Sequence, residues 1–182
     1  MNDAFCDLPS FAFGINDLLR GTSALSVDQQ KAVALLGEGI ASSTEVKTTV
    51  FYRGCSLSEF YAQVKTEIFT SNAFLSVTIN PVEAVNFAKK CDENDRLLLR
   101  IGFPEPPRLL QISSLDHQSL EQEEFLVAQN SQFQIFDWDG QSGQSEAETM
   151  HLQCVDLSSI KFLKLEAISQ AKLGGAYLQS PA

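Results

Sequence analysis

The chain has 182 residues, of which 44% are hydrophobic and 20% are charged, and its formal net charge is −10. This length suits one ordinary domain, and the apolar content is too high for an intrinsically disordered chain. Because carboxylates in excess repel phosphate backbones, a nucleic-acid partner held by bulk electrostatics is not expected. We predict a single domain over residues 1–182; composition sets no oligomeric state, and a monomer is the simplest expectation.

The cysteines and histidines give no sign of a metal site or a disulfide framework. The four cysteines are widely spaced without a C-x-x-C pair, and the two histidines stand alone, so we expect reduced thiols and no bound metal. No apolar run reaches transmembrane length, and residues 1–10 lack a basic region followed by an apolar one. Neither membrane insertion nor a standard signal peptide is therefore expected. The residues concerned are Cys6, Cys55, Cys91, Cys154, His117 and His151.

The first third of the chain has a helical pattern. Residues 13–20 form a short amphipathic segment, and a second helix is predicted over residues 26–43. Ser26 and Gln29 have capping-box spacing at the start of this second helix. Its apolar residues lie near one stripe, which comprises Val33, Leu35 and Leu36.

A strand and a third helix are predicted next. Residues 48–54, TTVFYRG, are rich in β-branched and aromatic types, which predicts a strand that ends at Gly54. Ser56 and Glu59 form another capping box, which predicts a helix behind it. Four apolar residues at helical spacing extend that helix: Phe60, Tyr61, Val64 and Ile68.

The remainder of the chain is mainly predicted as strands. Residues 74–79 alternate like a strand, and Asn80 with Pro81 supplies an N-cap and a first-turn proline for a helix over residues 82–90. Because helices come first and strands follow, the pattern indicates an α+β fold. The later strands are predicted at residues 97–103, 108–113, 124–128, 133–138, 151–157 and 160–168.

Three local features occur in a characteristic order. Arg53-Gly54 ends a predicted strand, Ser76 lies in an F-x-S-x-T strand before a capped helix, and an acidic run at residues 121–124 enters an apolar strand. Each feature alone is common, since arginines and glutamate runs are usually solvated. In this order they resemble the arginine–serine–glutamate class of mono-ADP-ribosyltransferases. The resemblance covers nearly the whole chain, with further matching segments at residues 15–21, 76–88 and 130–135.

The resemblance implies a fold and an activity. The expected fold is an ADP-ribosyltransferase-like split β-sandwich, with a helical N-terminal lobe over about residues 13–45 and an NAD-binding β core over about residues 48–170. NAD would bind as substrate in the cleft between the two sheets, and ADP-ribose would pass to a side chain of a target protein with release of nicotinamide. Many such enzymes are bacterial toxins or effectors with roles in virulence. This implies delivery into a target-cell cytosol by a signal-peptide-independent route, the alternative being a cytoplasmic protein.

The resemblance also assigns roles to residues. Arg53 would anchor NAD, because a guanidinium fork can hold phosphate or ribose oxygens, and Gly54 would let the ligand approach the backbone. Glu124 would be the catalytic carboxylate, which stabilises the oxocarbenium-like centre through the ribose 2-hydroxyl. Ser76 would orient that carboxylate, and Thr78 takes the family's second hydroxyl position.

Acceptor recognition is expected just before the catalytic glutamate. With Glu124 as that residue, Gln122 gives a Q-x-E motif, which leaves open whether the acceptor is arginine, asparagine or another residue. Glu121 and Glu123 offer a rival E-x-E register, but Glu124 directly precedes the apolar strand, as in the family. Residues 116–122 would form the turn that meets the acceptor.

Three alternatives remain open at this stage. Phe87 would either pack near the nicotinamide or serve as a plain core residue. The enzyme would either transfer ADP-ribose to a protein or use water as acceptor, which would make it an NAD glycohydrolase. The same fold could also serve as a non-catalytic NAD-binding module.

Overall fold

The structure is a computed structural model that describes residues 24–112, 123–145 and 155–169, together with Leu19, Glu148, Leu152 and Gln153. Of the helix predicted at residues 13–20, Leu19 alone falls within this part of the chain. Within the described residues, no helix is long and apolar enough to cross a membrane.

Three α-helices and one short 3-10 helix lie wholly within the described residues. The first begins where the sequence predicts, since Ser26 accepts from the Gln29 amide while the Gln29 side chain accepts from the Ser26 amide. Its buried stripe includes Val33 and Leu36, but Leu35 is 66% exposed and does not belong to it. The helices are α1 (Val27–Ser42), α2 (Leu57–Tyr61), α3 (Pro81–Ala88) and the 3-10 helix Glu93–Asp95.

Nine strands form one hydrogen-bonded sheet in the order β2-β3-β8-β9-β5-β1-β4-β7-β6. Strands β5 and β9 are parallel, and the other paired neighbours are antiparallel. The strands are β1 (Val50–Ser56), β2 (Val64–Lys65), β3 (Ile68–Thr70), β4 (Leu75–Thr78), β5 (Arg96–Gly102), β6 (Leu110–Gln111), β7 (Glu124–Val127), β8 (Gln132–Asp137) and β9 (Lys161–Ser169).

The sheet is nearly divided in two between β1 and β4. Strand β1 pairs with β5 along its whole length, but it meets β4 through the single pair Tyr52↔Thr78. Beyond this pair the two strands separate, which leaves a six-stranded part ending at β1 and a three-stranded part comprising β4, β7 and β6. The split predicted for the sandwich is therefore found at the strand that carries Arg53.

Both parts of the sheet contribute to one core, so the sheet curls around it. The Phe51 ring packs edge-on against Phe103 and Phe125, with 5.7 Å between centroids in each pair. Phe133, from the other end of the sheet, is fully buried in the same cluster. This curled arrangement with few helices is the α+β class that the sequence predicts.

Two helices cover the outer faces of the sheet. Helix α1 packs through Leu36 and Ile40 against Leu126 on the three-stranded part. Helix α3 packs through Ala84 and Val85 against β1 and β5. Helix α3 contacts both β1 and β4, so it lies beside the split between these two strands.

The predicted helix over residues 56–68 is wrong beyond Tyr61. Residues 64–70 form a hairpin instead, turning at Thr66 and Glu67, which both have positive φ. The reason is tertiary, because β3 pairs with β8 and places Phe69 opposite Phe133 in the core.

Three strand predictions also need correction. Strand β1 continues past Gly54 to Ser56, because residues 54–56 pair with β5. The strand predicted at residues 108–113 is only Leu110–Gln111. The strand predicted at residues 151–157 is wrong in its described residues, since Leu152 and Gln153 are helical. A strand here could not pair with β9, the next strand in the chain, because β9 already pairs with β5 on one edge and β8 on the other.

Candidate active site

The split between β1 and β4 opens into a pocket that is open to solvent, and the empty space within it, open solvent included, is about 540 Å³. All six residues predicted to catalyse the reaction or bind NAD line it: Arg53, Gly54, Ser76, Thr78, Phe87 and Glu124. The other lining residues are Tyr52, Val77, Glu83 and Ala84.

Arg53 spans the gap where the two strands separate. Its side chain leaves β1 and its Nη1 donates to the Ser76 carbonyl on β4 at 2.7 Å. Arg53 also borders a second, smaller pocket, which Cys55 and Glu59 line. The guanidinium therefore holds the two parts of the sheet together and still borders the pocket, where it can receive an anion.

Ser76 and Glu124 are brought together by strand register. In the antiparallel pair of β4 and β7, Thr78 lies opposite Glu124 and Ser76 opposite Leu126. Ser76 and Glu124 are thus diagonal neighbours on one face of the sheet. Ser76 Oγ donates a hydrogen bond to Glu124 Oε1, which fixes the direction of the carboxylate.

The neighbouring carboxylate of Glu123 is placed differently. Glu123 is exposed, has φ of 41°, and does not line the pocket. Of these two neighbouring carboxylates, Glu124 is the one that lines the pocket and accepts a hydrogen bond from Ser76. Glu121 and Gln122, predicted to recognise the acceptor, lie outside the described residues, as does the whole turn predicted at residues 116–122.

Thr78 shapes the connection from β4 to α3. It is 6% exposed, and its Oγ1 accepts from the Asn80 amide at 3.0 Å. Asn80 Oδ1 in turn accepts from the Val82 amide, as the predicted N-cap should, and Pro81 occupies the first turn. This tight connection fixes the start of α3 at the edge of the pocket.

Gly54 is required by the close approach of α3. A Cβ at this position would lie 1.8 Å from the Ala84 carbonyl oxygen and 2.4 Å from the Ala88 nitrogen. Both are backbone atoms, which cannot rotate away. The missing side chain makes room for the helix that forms one wall of the pocket, and Gly54 itself also lines that pocket.

Phe87 lies at the rim of the pocket rather than in the core. Its side chain is 36% exposed, and Lys90 Nζ lies 4.2 Å from the centroid of its ring. The alternative of a plain core role is therefore wrong. Sequence reasoning missed Glu83, although it precedes Phe87 by four residues and such a pair shares one face of a helix.

A polar network lies behind the pocket, where Tyr52 OH donates to Glu148 Oε1 at 2.7 Å. Burial, followed by the hydrogen bond to Glu148, raises the pKa of Tyr52 well above its ordinary value of 10.0. Arg100, which is 7% exposed, donates to the Gly143 carbonyl at 2.6 Å. These contacts fasten Gly143 and Glu148 to the sheet, and the Tyr52 phenol stays protonated.

Cys55 should react slowly with alkylating reagents. Its thiol packs against the main core, and burial raises its pKa from 9.0 to about 11. At pH 8 this lowers the thiolate fraction about 100-fold, so alkylation by iodoacetamide should be slower by a similar factor in the native than in the urea-unfolded chain. Peptide mass spectrometry measures the two rates, and equal rates would contradict the burial.

The same shift has a consequence for stability at high pH. Because the unfolded thiol ionises near pH 9 and the native thiol near pH 11, the native state retains the proton longer. The contribution of Cys55 to stability is complete below pH 9 and is lost as the pH rises towards 11.

No cluster of three or more potential metal ligands occurs among the described residues, and both histidines lie outside them.

Comparison with known proteins identifies the fold. No protein-family model and no curated protein sequence matches the chain. Solved structures do match it, and they include an ADP-ribosyltransferase toxin and an exoenzyme that was solved with an NAD analogue.

The Vis toxin of Vibrio splendidus, an ADP-ribosyltransferase, matches with a TM-score of 0.62 at 16% identity, over 97% of this chain and 78% of that chain. Exoenzyme S of Pseudomonas aeruginosa, solved with human 14-3-3 protein beta and carba-NAD, matches with a TM-score of 0.60 at 14% identity, over 100% and 80%. An ADP-ribosyltransferase of Clostridium botulinum matches with a TM-score of 0.55 at 10% identity, over 88% and 79%. The chain therefore has the ADP-ribosyltransferase fold.

Proposed function

We propose that this protein is an NAD-dependent mono-ADP-ribosyltransferase of the arginine–serine–glutamate class. The observation that carries the proposal is the hydrogen bond from Ser76 to Glu124 in a pocket that Arg53 borders. A carboxylate oriented by a serine, beside a guanidinium, is the donor set needed to bind a dinucleotide and stabilise a ribosyl cation. Residues 1–182 would form one catalytic domain.

Each residue has a role that follows from its chemistry. Arg53 binds the pyrophosphate or ribose oxygens of NAD, and Phe87 offers apolar surface to the nicotinamide ring. Glu124 accepts a hydrogen bond from the ribose 2-hydroxyl and stabilises the positive charge that develops at the anomeric carbon. Ser76 holds this carboxylate in position.

The reaction exchanges one bond for another. The bond between the anomeric carbon and the nicotinamide nitrogen breaks, and its electron pair leaves with neutral nicotinamide. A nucleophilic atom of the acceptor side chain bonds to the same carbon and releases its proton. Glu121 and Gln122 would contact that side chain from the preceding turn, and with Gln122 in the Q-x-E position the acceptor is an arginine, an asparagine or another residue type.

The biological setting is proposed from the structural neighbours. The Vis protein is described as a toxin, and Exoenzyme S was solved with a human protein. By analogy this chain would act as a monomeric toxin or effector with a role in virulence, on a target protein in the cytosol of another cell. Action in the cytoplasm of the producing cell is the alternative.

Transfer of label tests the proposal directly. Purified protein is incubated with NAD labelled in its ADP-ribose, with and without bacterial or eukaryotic lysate, and released nicotinamide is measured in parallel. A labelled protein band that appears with the wild type and not with Glu124→Gln would support transfer and give the mass of the target. Equal nicotinamide release without any labelled band would point to a glycohydrolase. NAD binding without release would indicate a binding module and contradict the proposal.

A further inference from the structure

We propose that Glu83 makes the pocket selective for the oxidised, positively charged form of NAD. The inference rests on the proposed function, since it takes NAD as the ligand, and it concerns a residue to which that function assigns no role. Glu83 lines the same pocket as Arg53 and Glu124, and its carboxylate would lie against the pyridinium ring of nicotinamide.

The Glu83 carboxylate is not needed by its own helix. Glu83 is the third residue of α3, and a glutamate there commonly reaches back to accept from the N-cap amide. Here the Asn80 amide donates to Thr78 Oγ1 at 3.0 Å instead. Among the described residues, no hydrogen bond or ion pair to the Glu83 carboxylate is found. Its charge is therefore available to a ligand.

The charged residues that line the pocket, Arg53, Glu83 and Glu124, favour a ligand with one anionic and one cationic part. Arg53 suits the pyrophosphate, and the Glu124 carboxylate is already held by Ser76. A second carboxylate near the pyrophosphate would repel it. The favourable partner of Glu83 is therefore the nicotinamide ring, which lies across the ribose from the pyrophosphate. The pyridinium ring carries the single positive charge of NAD. Phe87, one helical turn from Glu83, adds apolar surface for a planar ring.

The attraction acts on the bound ground state more than on bond cleavage. As the bond to nicotinamide breaks, positive charge leaves the ring and moves to the ribose, which lies nearer the residue proposed to be catalytic. Loss of the Glu83 charge should therefore raise KM for NAD by about tenfold and raise kcat by a similar factor, so that kcat/KM changes by less than about threefold. Damage to the structure of the site would lower kcat/KM instead.

The decisive experiment compares two ligands that differ mainly in ring charge. Carba-NAD resists cleavage and keeps the pyridinium, whereas its reduced form has a neutral dihydropyridine ring of similar size. Isothermal titration calorimetry gives Kd for both with the wild type and with Glu83→Gln, which keeps the size of the side chain. The wild type should prefer the oxidised form by about tenfold, and the variant by about twofold or less, through weaker binding of the oxidised form.

Glu59→Gln is the matched control. Glu59 is also the third residue after its N-cap, on α2, and it borders the second pocket beside Arg53 but not the first. This variant should keep the wild-type preference. If Glu83→Gln keeps the preference, or Glu59→Gln loses it equally, Glu83 is not the selective residue, although the proposed function stands. If the folded wild type binds neither ligand, the proposed function fails together with the inference.

Discussion

Replacement of Glu124 by glutamine should lower the rate of nicotinamide release from NAD about 100- to 1,000-fold, and leave the folded structure intact. Glutamine has the same size and can still accept a hydrogen bond from Ser76 Oγ, which the carboxylate accepts in the wild type. It lacks the negative charge that stabilises the ribosyl cation. The rate constant from a coupled nicotinamide assay measures the effect, and thermal unfolding checks the fold.

Glu123→Gln is the control for this prediction. Glu123 is the adjacent residue in sequence, but it is exposed and does not line the pocket. Its replacement removes the same charge from the same segment and should change the rate by less than about threefold. The reverse result, with Glu123→Gln inactive and Glu124→Gln active, would establish the E-x-E register and refute the assignment of Glu124.

The proposed site could be predicted from the sequence because its signals are local. Ser26 and Asn80 mark helix starts through short-range hydrogen bonds, and both helices begin where these residues predict. Ser76 and Glu124 lie in strands whose composition is distinctive in itself. The register between these strands then brings the two side chains to one face of the sheet.

The hairpin at residues 64–70 could not be predicted because its signal is ambiguous. Val64 and Ile68 fit a helical period after Phe60, and they fit two short strands equally well. The choice is made by pairing with Phe133 and its neighbours, more than 60 residues further on. The same holds for the end of β1, whose last residues are strand because β5 pairs with them.

The role of Glu83 and the structural reason for Gly54 could not be predicted from the sequence, and both for the same reason. Glu83 follows a helix cap, and such a glutamate is normally explained as part of that cap. The Glu83 carboxylate borders the pocket because of where α3 packs. That packing in turn requires glycine at position 54. Non-local packing therefore decides both the role of Glu83 and the need for glycine at position 54.

Replacement of Gly54 by alanine should lower the free energy of unfolding by about 3 kcal/mol or more. The new Cβ would meet the Ala84 carbonyl oxygen at 1.8 Å and the Ala88 nitrogen at 2.4 Å. Flexible side chains can move away from such a contact, but here both atoms belong to the backbone of α3. The helix must shift outward or β1 must bend, and either change disrupts the buried contacts of Tyr52 and Val85. Urea denaturation followed by circular dichroism measures the loss.

Gly37→Ala separates the clash from a general effect of replacing glycine. Gly37 lies within α1, and a Cβ there would meet no atom within 4 Å. Since alanine favours a helix interior over glycine, this variant should gain about 0.5–1 kcal/mol. Loss of stability in both variants would mean that the contact at Gly54 is not the cause.

The Gly54 variant also tests whether α3 forms a wall of the pocket. Glu83 and Phe87 are both on this helix, so an outward shift carries them away from Arg53 and Glu124. At a temperature where Gly54→Ala is still folded, its KM for NAD should rise by about tenfold or more, since about 1.4 kcal/mol of lost binding corresponds to a factor of ten. An unchanged KM in the folded variant would mean that the ligand does not touch α3. The Glu83 inference would then fail, whereas Glu124 could still act from the opposite wall.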